Sequence, residues 1–279
     1  MILQQHYIDN LIFNALNEDI NYIDISSAYI FTDEMKSTAY FVSKADGVLA
    51  GIDIALRVFE LLDKDVVINK FFKDGDKISK GTEIATIEGK TAMLLRGERT
   101  ALNILQHMSG IATAVSLAVE AVSHTNATIA DTRKTLPGLR PIQKYAVTCG
   151  GGKNHRYNLS DAVMLKDNHI DAGGGITKTV KTVRANIGHT VTIEVETRNL
   201  SEVKEALEAG ADIIMLDNMS LDEMREAVKL IDGRAKTEAS GNVTLDNIEA
   251  VAETGVDIIS MGAITHSVKA FDISMKIRK

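Results

Sequence analysis

A single cysteine, Cys149, in a chain of 279 residues excludes an internal disulfide framework and suits a reducing compartment. Basic residues are outnumbered, 31 lysines and arginines against 38 aspartates and glutamates, for a formal charge of -7. Nucleic acid or an anionic membrane is therefore attracted only by a local basic patch, and neither is an expected partner. Proline is scarce. Pro137 and Pro141, the only two, fall in one stretch read as a loop, and no linker is evident. The opening residues, MILQQHYIDNLIFNALNEDI, lack a basic leader, a long apolar run and a small-residue cleavage site. The longest apolar-rich stretch, Ile111 to Val119, gives way to Glu120 and falls far short of a membrane span. What is present is ordinary globular usage, 45% apolar and 25% charged, enough for a buried core. A soluble cytoplasmic chain of one large domain or two modest ones is expected.

The first hundred residues read differently from the rest. Ile8, Leu11, Ile12, Ala15 and Leu16 recur at helical spacing, Thr38 to Ser43 alternates like a strand, and Ile52 to Leu62 is again amphipathic helix. FFKDGDKISKGTEIATIEGKT follows, short β-runs separated by Asp-Gly and Lys-Gly turns. It resembles the hairpins of biotinyl or lipoyl carrier domains but has no lysine presented at a hairpin tip, so it reads as the β-rich part of an α+β domain. Gly97 to Val122 then reads as helix. Beyond it the runs TIADT, AVMLKD, VTIEVE, DIIMLD, KTEAS and DIISMG alternate with helical stretches expected to end at glycine. The ends of the last four runs recur at the spacing of a compact βα unit, which predicts parallel strands with right-handed crossovers. A closed eight-stranded barrel needs eight such units. Only six are visible here, so an open, incomplete parallel α/β barrel is expected, its edge capped by the N-terminal part or by another subunit.

Active sites of parallel barrels lie at the C-terminal ends of the strands. Asp131, Thr132, Arg133 and Lys134 follow the first, with Lys153, Asn154, His155 and Arg156 later in its long loop. Lys166 to His169 end the second, Glu194 and Glu196 lie on the third, and Asp217 and Asn218 end the fourth. The fifth carries Glu238 and Ser240-Gly241-Asn242, and the sixth ends at Gly262 with His266 beyond. Arginine forks and lysine at the entry suit an anion with several carboxylates or phosphates. Glu196 and Asp217 suit ribose hydroxyls or a magnesium ion that also touches pyrophosphate. Ser240-Gly241 and Gly262 are expected to offer backbone N–H groups to phosphate at helix N-termini. Taken singly, each has a duller reading: solvated loop cations, a structural ion pair, turn glycines, capping histidines at His169 and His266. Gly-Gly-Gly-Lys at 150–153 lacks the pattern of a P-loop. The coincidence of all these groups at six successive strand ends favours a site.

RGERTALNILQHMSGIAT, DTRKTLPGLRPIQKYAV, GGGKNHR, KDNHI, EVE, LDN, EASGN and MGAITHS together resemble the quinolinate phosphoribosyltransferase family, from about residue 96 to the C-terminus. The earlier part matches more loosely: Glu18 to Ser26 stands where the family has EDIGxGDIT, without its glycines. The resemblance implies an N-terminal α/β sandwich over residues 1–108, with the tail 268–279 a candidate to complete it, and an open barrel over 109–267. It implies head-to-tail homodimers, with further assembly open, and a site shared between subunits. The implied reaction joins quinolinate to phosphoribosyl pyrophosphate with Mg²⁺ and releases CO₂, pyrophosphate and nicotinate mononucleotide. By the same resemblance quinolinate lies against Arg133, His155, Arg156 and Lys166, with Arg99 supplied by the partner subunit, and Thr132 is a further substrate-binding residue. Lys134 approaches the pyrophosphate, and Glu196 and Asp217 hold ribose hydroxyls and magnesium, directly or indirectly. Ser240, Gly241, Asn242, Met261, Gly262, Ala263 and His266 surround phosphate groups. Lys134, Lys166, Glu196 and Asp217 are the catalytic candidates, Lys166 also the candidate donor of the final proton.

Three rivals compete. A molybdenum-pathway paralogue or a nicotinate phosphoribosyltransferase shares the barrel but does not call for the full set of Arg133, His155, Arg156 and Lys166. A Schiff-base lyase would use Lys166 as nucleophile. A catalytically dead scaffold would be expected to have lost some of the strand-end ionisable groups.

Overall fold

Alternation builds the first sheet. In β1 (Lys36–Ser43), Ala39, Phe41 and Ser43 are buried and the residues between them less so, because residues two apart share a face. The computed structural model describes residues 3–20 and 22–278; Met1, Ile2, Lys279 and Asn21, the last inside the divergent segment 18–26, lie outside the described residues. Before β1 come α1 (Gln5–Asp19) and α2 (Ile25–Ala28); after it come β2 (Gly47–Val48) and α3 (Ile52–Leu62). The apolar face of α3 buries Ile52, Ala55, Leu56 and Phe59, and the Phe59 ring packs on Phe41 with centroids 6.0 Å apart. The carrier-like segment does not form one hairpin module. β3 (Val67–Lys70) and β5 (Glu83–Lys90) join β1, whereas β4 (Lys77–Ile78) pairs with β2. The C-terminal strand β12 (Ile273–Ile277) adds to the free side of β1, giving the antiparallel order β12-β1-β5-β3.

Helix α4 (Thr91–Ala121) is longer than the expected Gly97–Val122. By length and composition it is, among the described residues, the one helix that could cross a membrane, which corrects the expectation that no stretch comes near a span. More than half of that apolar window is nevertheless buried within the fold, at residues such as Leu105, Met108, Ile111 and Val115. It therefore reads as a core helix.

The chain divides into two compact units. One runs to Ser116 and adds Leu136–Gly151 and the chain from Ser267; the other comprises Leu117–Thr135 and Gly152–His266. The second unit holds six strands: β6 (Thr128–Ala130), β7 (Val163–Leu165), β8 (Ile193–Thr197), β9 (Ile213–Asp217), β10 (Lys236–Ser240) and β11 (Ile258–Ser260). All its pairings are parallel, in the order β6-β11-β10-β9-β8-β7. This is the open barrel, with its gap between β6 and β7. The outer edge of β6 is met by the unit's own chain. Lys153 bridges to Ala130, its N–H donating to Ile129 O at 2.8 Å and its carbonyl accepting from Asp131 N at 3.1 Å.

The helices of this unit are α6 (Asp167–Gly173), α7 (Ile176–Arg184), α8 (Leu200–Glu208), α9 (Leu221–Ile231), α10 (Ile248–Ala252) and α11 (Ala263–His266); α5 (Arg140–Cys149) belongs to the first unit. α5 corrects the reading of 135–152 as a loop. Pro141 sits in its first turn, where the missing N–H has no intrahelical partner to lose. Helix α9 ends on Asp232 in the left-handed conformation, at φ 48°, one residue before the expected Gly233.

Candidate active site

Each strand of the parallel sheet ends by delivering a polar side chain to one cavity of about 550 Å³. Thr132, Arg133 and Lys134 enter after β6, His155 and Arg156 from the segment beside the gap, and Lys166 after β7. Glu196 follows on β8, Asp217 and Asn218 at the end of β9, Ser240, Gly241 and Asn242 at the end of β10, and Ser260 at the end of β11. Around the ring, cations therefore flank the gap on both sides. Carboxylates occupy the next two strands, and a hydroxyl with a bare glycine comes after them.

The cationic arc is held by backbone. His155 N–H donates to Asp131 Oδ1 at 2.9 Å, and Arg156 Nη1 donates to Ala162 O at 2.9 Å, just before β7. Burial and then the positive charge of Arg133 lower the pKa of Arg156. Arginine stays protonated in proteins, so two like charges face each other here, an arrangement that an anion between them relieves. Lys166 Nζ donates to Glu196 Oε2 at 2.7 Å. His169 turns its ring back, Nδ1 accepting from Lys166 N–H at 3.0 Å, which is the capping role and not a ligand role.

The other arc depends on a close approach. Gly241 has φ +91°, and a Cβ there would stand 2.3 Å from Asn218 Oδ1, so only glycine fits. Asn218 accepts from Asn242 Nδ2 at 2.9 Å and donates to Asp217 Oδ2 at 2.8 Å, tying the loops after β9 and β10. Of the two expected helix N-termini, only the one at Gly262 is found, before α11. The left-handed pair Gly241 and Asn242 bends the chain into a turn that ends before α10 at Ile248, and Gly262 precedes a single helical turn. Met261, Gly262, Ala263 and His266 do not line the cavity. Gly262 and Thr265 of this stretch contact Lys134 instead: a Cβ on Gly262 would lie 2.7 Å from Lys134 Cδ, and Thr265 Oγ1 donates to Lys134 O at 2.8 Å. Arg99 is exposed on α4 in the first unit.

Sequence reasoning gave no role to Glu194, Asn218, Glu238 or Ser260. The signal was the strand period: Glu194 shares a face with Glu196, and Glu238 with Ser240, one pleat deeper. Glu194 and Glu238 are 2% and 1% exposed, and His155 Nε2 lies 3.0 Å from Glu194 Oε2 and 3.6 Å from Glu238 Oε1. Burial, then the charge of Glu194, pushes the Glu238 carboxyl up to about 7. A raised folded-state pKa means a contribution present in full below the unfolded value of 4.5 and lost as pH climbs through 7. Glu238→Gln, which mimics the protonated acid, is expected to match the parent in urea unfolding near pH 4.5. Near pH 8.5 it should exceed the parent by up to about 3 kcal/mol. A constant difference across that range would contradict a buried proton on Glu238.

Two groups of three potential ligands occur among the described residues: exposed His124, Glu249 and Glu253, and His155 with Glu194 and Glu238. Glu196 and Asp217 belong to neither. Two carboxylates lining an open cavity are a donor set that fits Mg²⁺, which prefers few protein oxygens completed by water and substrate phosphates.

Residues 111–276 match the family described as quinolinate phosphoribosyl transferase, C-terminal domain, and residues 24–109 its N-terminal domain. A probable carboxylating nicotinate-nucleotide pyrophosphorylase of Bacillus subtilis is 47% identical over 260 residues, 93% of this chain and 90% of that one. A decarboxylating quinolinate phosphoribosyltransferase of Nicotiana tabacum is 44% identical over 94% of this chain and 80% of its own. The crystal structure of NadC from Streptococcus pyogenes superposes with a TM-score of 0.96 at 43% identity, covering 100% of both chains.

Proposed function

The chain belongs to the quinolinate phosphoribosyltransferase family and transfers the phosphoribosyl group of phosphoribosyl pyrophosphate to quinolinate with decarboxylation, and we propose that the strand-end cavity is where it does so. The products are nicotinate mononucleotide, pyrophosphate and CO₂, a step of NAD biosynthesis. The observation that carries the assignment of the site is the convergence of Arg133, Arg156 and Lys166 on one cavity whose far side carries Glu196 and Asp217.

Quinolinate presents two carboxylates, and Arg133, Arg156 and Lys166 are the donors that hold them, with Arg99 of the partner subunit completing the set in a head-to-tail homodimer. The ribosyl donor lies toward Glu196, Asp217 and the turn Ser240–Asn242. Holding both fixes the pyridine nitrogen in line with C1 of the ribose, which converts an encounter into a unimolecular step. As pyrophosphate leaves, C1 gains oxocarbenium character; Glu196 and Asp217 stabilise that positive charge and Lys134 the growing negative charge on the leaving group. The nitrogen attacks, its new positive charge accepts the electron pair released as the adjacent carboxylate departs, and a proton replaces CO₂ on that carbon, Lys166 being its candidate source. Mg²⁺, held by Glu196 and Asp217, supplies charge neutralisation of pyrophosphate when bound. The enzyme works in the cytoplasm, without membrane or nucleic acid. The family's reaction calls for no Schiff base at Lys166.

Purified protein given quinolinate, phosphoribosyl pyrophosphate and Mg²⁺ is expected to form nicotinate mononucleotide and CO₂ in equal amounts, to stop on chelation, and to leave nicotinate untouched as acceptor. Equal use of nicotinate would overturn the dicarboxylate site, and activity that survives chelation would remove the metal.

A further inference from the structure

Two buried carboxylates stand behind the cationic arc with no part in the mechanism. Glu194 on β8 and Glu238 on β10 converge on His155, and the remaining oxygen of Glu194, Oε1, has no hydrogen-bond partner. His155 is not part of a strand. It lies in the segment that crosses the gap from β6 toward β7, and its ring is the piece of that segment that reaches into the interior of the sheet. Its Nδ1 accepts from Arg156 N–H at 2.7 Å, which leaves Nε2 as the protonated nitrogen, donating to Glu194 Oε2 at 3.0 Å.

Both ring nitrogens are thus spent on holding the segment. The backbone N–H of Arg156 is fixed by the ring, and its guanidinium is fixed at the other end by Ala162 O. The cluster is also a partition. His155, Arg156 and Glu238 line both the main cavity and a second one of about 320 Å³ that opens among the strand starts at Thr128, Ile213 and Ile258, whereas Glu194 lines only the second. A carboxylate left half-satisfied in such a place costs free energy, so its retention calls for a compensating role.

We infer that Glu194 and Glu238 are positioning residues of the acceptor end, which act through His155 to set Arg156 against the quinolinate carboxylate. This rests on the reading of the cavity given under the proposed function. Glu194 lies outside the cavity assigned to the substrates, and Glu238, which lines it, is 1% exposed. Their removal lets the imidazole swing, the segment loosen and the Arg156 fork lose its aim.

The test compares KM for each substrate in Glu194→Ala, Glu194→Gln and Arg156→Ala. Glu194→Ala should raise the quinolinate KM about tenfold or more, the loss of one charge-assisted hydrogen bond, and leave the donor KM within about twofold. Glu194→Gln keeps an oxygen to accept from Nε2 and should recover most of the loss. Should the alanine variant not fold, Glu194→Leu keeps the volume and removes the acceptor. An unchanged quinolinate KM in either variant, or a glutamine variant as impaired as alanine, overturns the inference. Arg156→Ala separates the two levels. If it leaves the quinolinate KM unchanged, the reading of the cavity fails and the inference falls with it; if it raises that KM while Glu194→Ala does not, only the inference fails.

Discussion

Arg133→Ala is expected to weaken quinolinate binding by a factor of about 100 and to change binding of the ribosyl donor by less than about threefold. Arg133 enters the cavity straight after β6 and lines it with Arg156, whose pKa is lowered first by burial and then by the Arg133 charge. Removing one of two facing guanidiniums leaves a dicarboxylate with half its partner set, and hydrogen bonds to charged groups contribute about 1.5–3 kcal/mol each. The donor, by contrast, is assigned to the carboxylates and the Gly241 turn across the cavity. Calorimetry with each substrate separately checks the split; equal losses for both would take Arg133 off the carboxylates.

The other large effect is complementation. Arg99→Ala and Lys166→Ala should each depress activity by a factor of about 100 or more, as expected when a charged partner of a bound anion is lost. An equimolar mixture after subunit exchange should regain about a quarter of the parent activity. Random pairing makes half the dimers mixed, and one of two sites in each mixed dimer is then intact. The motif around Arg99 is the basis for this, together with its exposure on α4. An inert mixture, with exchange verified by mass-tagged chains, would place Arg99 outside the site.

The second unit was the more legible part of the chain. DIIML and DIISM are apolar almost throughout because both faces of a parallel strand are covered, and the regular spacing of their ends exposed the repeating βα unit. The site was legible for the same reason: a strand end is a fixed address, so Arg133, Lys166, Glu196, Asp217 and Ser240 were found by position. What escaped depended on contacts distant in sequence. Helix α5 carries two prolines' worth of loop signal at its start and was read through as irregular chain. β12 had no partner in view until β1 offered a free edge. Glu194 and Glu238 were given no role because they sit one pleat below Glu196 and Ser240, and their meeting with His155 joins three segments that no local pattern connects. Gly262 lay in the motif, and its approach to Lys134 depends on a contact between segments far apart in sequence.

The parallel ladder stops at the gap between β6 and β7, and residues 153–156 lie along it on a few bonds from Lys153, His155 and Arg156. The frame and the selector are therefore separable. Of the side chains proposed for the acceptor end, His155 and Arg156 come from a stretch outside the six-strand ladder, so substitutions there leave the pairings of the strands as they are.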